Sequence, residues 1–171
     1  MFRSLPYIAL FLVAVLSQVL FFDNLTVGIL FSPLVYTLFL LLLPLETPQW
    51  LMLALGIVTG VVVDALTGSN GEHSIATIFI AYFRTPMLKI LIGNERTSLK
   101  GVPSEMNFGY VDLIRYIVTM VLIHHFIFIA FDTLSLHNIH LTFVRFALSS
   151  AASVLYIWLL TRLFTNNNYL K

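Results

Sequence analysis

The chain has 171 residues, of which 59% are apolar and only 10% charged, with a formal net charge of +1. Soluble domains carry about 25% charged residues, so an ordinary soluble fold is excluded. The near-neutral balance also leaves no basic surface to suggest a nucleic-acid partner. Cysteine is absent, which removes disulfides and thiolate chemistry.

Six apolar spans are predicted, at about residues 5–22, 27–43, 50–66, 74–92, 110–131 and 141–164. Each is close to the ~17–25 residues needed to cross the hydrocarbon core. The fold class expected is an all-α membrane protein, one polytopic domain over 1–171 with six transmembrane helices in a bundle. The first span follows Arg3, as a signal peptide would. It is long for a signal core and no small-x-small cleavage site follows near Asp23, so a retained helix is expected. The second span carries Pro33 early and Pro44 at its end.

The third span is the most informative. Gly56, Gly60, Asp64 and Gly68 recur four residues apart, followed by Gly71. Residues at that spacing share a helix face, drifting by about 40° per step. Gly56, Gly60 and Gly68 therefore form a groove that admits close helix approach, with Asp64 in the same groove. A carboxylate there must face protein or water. The stripe is either a groove for a partner helix or a seam within the bundle.

In the fourth span, Pro86 is expected to kink or end the helix, since proline lacks a backbone donor. Residues 87–92 would then lie at the interface, with Arg84 and Lys89 reaching the headgroups. The loop at 93–109 is polar and turn-rich, either a soluble-side contact or a solvated linker. The fifth span opens with Tyr110, Asp112, Arg115 and Tyr116, an interfacial pattern that makes Arg115 a further inner anchor. Its buried part is expected to begin near Tyr116. No internal repeat is visible, and Asn166, Asn167 and Asn168 form a low-complexity tail.

Of the nine lysines and arginines, only Arg145 falls on the outer side if both termini are inside. The positive-inside rule therefore places the N- and C-termini in the cytoplasm. Asp23, Glu72 and Asp132 then mark outer turns. Asp64 and Arg145 lie at similar depth near the outer boundary, which predicts a charge pair; the alternative is that each snorkels separately.

Candidate chemistry is sparse. His124 and His125 are adjacent in the fifth span, about 100° apart on the helix, and cannot readily share one metal. One is expected to face the bundle and the other a less buried surface, and a proton relay near a carboxylate is a further option. His137 and His140 belong to an outer turn and are expected to be solvated. HExxH, GxSxG and a phosphate-binding loop are all missing. No catalytic, metal or cofactor site is expected.

The run G56-IVT-G60-VVV-D64-ALT-G68-SN-G71, followed by ATIFIAY, resembles the signature region of the rod shape-determining MreD family. Pro33, Pro44, the length and the six spans agree in outline. The resemblance implies a non-catalytic subunit of the bacterial cell-elongation and peptidoglycan-synthesis complex in the cytoplasmic (inner) membrane. Implied partners are the bitopic MreC and, through it, the MreB filament, a RodA-type glycosyltransferase and its transpeptidase, besides the lipid bilayer. It also implies a bundle like the substrate-binding membrane subunits of energy-coupling-factor transporters. That second likeness leaves an alternative, a vitamin-like small-molecule uptake subunit with an outward pocket lined by Asp64, Arg145 and a histidine.

Overall fold

The computed structural model describes residues 5–24, 31–97, 100–132 and 139–166, and is helical without strands among them. Arg3, Val27, His137, Asn167, Asn168 and Lys171 lie outside the described residues. The elements in order are α1 (Leu5–Ser17), running into a π-helical turn (Gln18–Phe22), α2 (Leu38–Leu41), α3 (Gln49–Thr67), α4 (Glu72–Ile92), α5 (Asn94–Thr97), α6 (Glu105–Phe108), α7 (Tyr110–Asp132) and α8 (Ile139–Asn166). Five helical stretches are long and apolar enough to cross a membrane: Leu5–Phe22, α3, α4, α7 and α8. The chain is a multi-pass membrane protein.

The second span is corrected. Residues 31–35 have no regular structure and α2 is a single turn, so 27–43 contributes no spanning helix among the described residues. Yet residues 34–43 are all buried, within the longest unbroken buried run among the described residues. Ser32 bonds to Ser149 at one end of the bundle, and Leu45 pairs with Gly101 at the other. The segment thus runs lengthwise through the interior, flanked by α1, α4, α7 and α8. Irregular backbone survives at membrane depth only where protein supplies its hydrogen bonds.

α3 and α4 pack along the glycine face. A Cβ on Gly60 would overlap the Ser74 backbone and Thr77 Oγ1, and one on Gly56 would sit 2.8 Å from Ala81 Cβ. These two glycines therefore serve an internal seam. Gly68 and Gly71 do not belong to it. Both have left-handed backbone, φ 73° and 103°, with open space where a Cβ would be, and they close and open the turn between the helices.

α4 continues through Pro86 to Ile92, contrary to the expected break. Pro86 frees the carbonyl of Tyr82, four residues earlier. The Gln49 side-chain amide donates to that carbonyl at 3.3 Å and to Ala81 O at 3.1 Å, and Thr85 Oγ1 donates back to Gln49 Oε1 at 2.9 Å. The lost backbone bond is replaced from α3, so the helix holds. The first buried residue of α7 is Leu113, one turn earlier than expected.

Candidate functional site

Asp64 sits one turn from the end of α3, and both its backbone and its side chain are used. Its carbonyl accepts from Gly68 N at 2.9 Å and Ser69 N at 3.1 Å, closing α3. Its carboxylate accepts from His73 N at 3.1 Å, from Ser74 N at 2.9 Å and from the Ser74 hydroxyl. These N–H groups belong to the first turn of α4, whose cap residue, Gly71, has no side chain to satisfy them. The negative charge also faces the positive end of the α4 dipole.

The predicted Asp64–Arg145 pair is therefore corrected. Arg145 instead pairs with Asp132 at the end of α7 and donates to Ser32 Oγ at 3.3 Å. Similar depth did not bring the two together, because each has nearer partners at adjoining helix ends.

Asp64 positions His73, and His73 leads into a polar spine. The Tyr36 hydroxyl lies 2.8 Å from His73 Nδ1 and 3.0 Å from His124 Nε2. One phenolic proton serves one histidine, so the other histidine must present its N–H to the oxygen. His73 also lies against Phe128, ring centroids 4.7 Å apart. His125 Nδ1 is 3.0 Å from Val121 O, a pure acceptor, so that nitrogen carries the proton. Its Nε2 then accepts from Ser153 at 3.2 Å, while Ser153 Oγ accepts from Leu34 N at 2.8 Å. Both adjacent histidines are buried, so the expectation that one would face a less buried surface is corrected. They engage different partners, with His140 exposed.

The remaining clamps on 31–43 follow the same logic. The Gln18 amide donates to Pro33 O at 3.2 Å and accepts from Val35 N at 2.8 Å. At the opposite end, Tyr116 donates to Leu41 O at 3.2 Å. Arg84 donates to Leu43 O, to Pro44 O at 3.4 Å and to Tyr116 Oη at 3.1 Å. Arg84 is only 1% exposed, so its expected role as an interface anchor is corrected. The carbonyls left free by a non-helical segment draw the guanidinium inward. Lys89 and Arg115 are exposed, and Arg115 pairs with Asp112 at 3.5 Å.

Chemically, this arrangement holds an irregular segment in place. The hydrogen-bonded run from His73 through Tyr36 ends at His124, whose Nδ1 has no partner. A cleft of ≈ 190 Å³ opens beside His73, lined also by Asp23, Ser32, Thr67 and Arg145. Among the described residues no three His, Cys, Asp or Glu side chains are grouped to hold a metal ion. Sequence reasoning missed Tyr36, His73, Gln18, Ser153 and Tyr116. Their signal was polar side chains within apolar spans, each needing a partner.

Compared with known protein families, with curated proteins and with solved structures, the chain matches none.

Proposed function

We propose that this chain is a non-catalytic, MreD-like subunit of a bacterial cell-elongation complex, working as a scaffold in the cytoplasmic membrane. The observation that carries the reading is that the residues of the resemblance act as one unit. Gly56 and Gly60 seat α4, Asp64 caps it, and Gly68 and Gly71 turn the chain between them. Asp64, His124 and His125 likewise bond to groups that hold the fold. In this reading the buried 31–43 segment counts as the second of six passages, both termini face the cytoplasm, and the bundle is of the energy-coupling-factor type. A bitopic MreC-like protein is the direct partner.

The cleft beside His73 favours uptake less. Its ≈ 190 Å³ is below the ~300 Å³ at which sites for vitamin-sized ligands begin. The test is depletion from the host cell combined with purification of the tagged protein from mild detergent. Rounding of the cells and recovery of a single-span partner are expected. Unchanged shape, with a small molecule raising the melting temperature, would overturn the reading in favour of uptake.

A further inference from the structure

We infer that the cavity where α1, the 44–47 turn, the 100–107 loop and the end of α8 meet is a site for a zwitterionic aminoethyl phosphate group, as carried by the headgroup of phosphatidylethanolamine. The inference goes beyond the scaffold reading and does not depend on it. The cavity has a volume of ≈ 600 Å³, within the ~300–1,000 Å³ usual for small-molecule sites. Tyr7 lines it from the first turn of α1, and Thr165 from the last turn of α8. Both belong to stretches long and apolar enough to cross a membrane. Their ends place the cavity where hydrocarbon gives way to headgroups.

The walls are tied together by the chain itself. Leu45 N donates to Gly101 O at 2.8 Å, and Gly101 N donates to Glu46 Oε2 at 3.1 Å. Asn107 Nδ2 donates to Val102 O at 2.8 Å and to Lys100 O at 3.5 Å, while Asn107 N donates to Ser104 Oγ at 3.3 Å. Glu46, Ser104 and Asn107 are thus held in place by bonds within the chain, which reduces the ordering that a ligand must impose.

What those bonds leave unused defines the occupant. Two donors remain on the cavity: the Lys100 ammonium, which makes no ion pair among the described residues, and the hydroxyl proton of Ser104, which has no acceptor there. Two acceptors remain as well, Glu46 Oε1 and Asn107 Oδ1. Glu46 and Lys100 line one cavity without pairing to each other. Donors alone would suit an anion, and acceptors alone a cation. Together they suit a ligand with a charge of each sign, its phosphate on Lys100 and Ser104 and its ammonium on Glu46 and Asn107. A purely anionic headgroup calls for a basic cluster, and the fixed Glu46 carboxylate opposes it. Pro44, Val102 and Met106 supply an apolar remainder, which suits the glycerol end of a lipid.

The test uses the full chain in non-ionic detergent micelles. It is titrated with phosphatidylethanolamine, phosphatidylglycerol or free phosphoethanolamine, and the bound ligand is counted by native mass spectrometry. One saturable phosphatidylethanolamine per chain is expected, held about tenfold more tightly than phosphatidylglycerol, the worth of one charge-assisted bond. Glu46→Gln keeps an acceptor for Gly101 N but removes the charge, and is expected to erase that preference. Lys100→Gln is expected to weaken both lipids about tenfold. Lys89→Gln, at an exposed cation outside the cavity, is expected to change neither. Both Glu46 and Lys100 are exposed, so the melting temperature without lipid should be unchanged in all three variants. Free phosphoethanolamine bound as tightly as the lipid would support the same chemistry and make the ligand a soluble zwitterion. Equal affinity for the two lipids, Lys89→Gln acting like Lys100→Gln, or no saturable binding would overturn the inference.

Discussion

Replacing Asp64 separates its helix-capping role from the ion pair expected at its depth. Asp64 is 8% exposed, and its carboxylate receives two backbone N–H groups and one hydroxyl. Asp64→Asn keeps one acceptor oxygen but turns an NH2 toward a donor, losing at least one charge-assisted bond worth ~1.5–3 kcal/mol. It also loses the interaction with the helix N-terminus, ~0.3–1 kcal/mol. A net cost of about 2–4 kcal/mol is expected for Asn. For Ala, which strands all three donors, about 3–5 kcal/mol is expected, water at the turn softening the loss. Reversible unfolding in mixed micelles measures both. Double-mutant cycles give the decisive comparison: Asp64 with Ser74 should couple by about 1 kcal/mol or more, and Asp64 with Arg145 by less than ~0.5 kcal/mol. A coupling above ~1 kcal/mol between Asp64 and Arg145 would refute the capping account.

The two kinds of glycine should respond differently. Gly60→Ala forces α4 away and is expected to cost about 1–3 kcal/mol, whereas Gly68→Ala meets only left-handed backbone strain of about 1 kcal/mol; the same unfolding assay ranks them. Tyr36→Phe leaves His73 Nδ1 and His124 Nε2 unpaired, at ~1–3 kcal/mol each, and should lower the melting temperature more than Tyr82→Phe at an exposed site. Arg84→Lys keeps the charge but loses the planar fork that spans Leu43 O, Pro44 O and Tyr116. Roughly 2–4 kcal/mol should be lost, and full stability in that variant would show the fork to be dispensable. Amide exchange at Leu34 and Val35 should be slow although neither is helical, and Ser153→Ala should accelerate Leu34 selectively.

α3, α4, α7 and α8 begin and end within two residues of the spans read from the sequence, because long apolar runs bounded by turns are a local signal. The 27–43 span was misread for an equally physical reason. Hydropathy reports transfer into an apolar medium, and an interior segment meets that criterion as well as a lipid-facing helix. What distinguishes them is the hydrogen-bond partners, and Ser149 lies 117 residues from Ser32. Arg84 was misplaced as a result, since nothing local reveals that Leu43 and Pro44 have free carbonyls. Asp64 was read as facing protein or water, and it faces protein, but depth along a helix carries no azimuth, so its true partners across the turn were not visible.

The threaded segment sets the order in which the protein can be made. Ser32 leaves the ribosome 117 residues ahead of Ser149, an interval of roughly 6–23 s at ~5–20 residues per second. Through that interval the amides of Ser32 and Leu34 lack the α8 hydroxyls that later accept from them. In lipid, the solution open to such a chain is to satisfy itself as a helix. A helical stage of the 31–43 segment before α8 arrives is therefore an expected outcome of this order. A truncation ending before Ser149 should retain that early form, making the last helix the trigger of the final rearrangement.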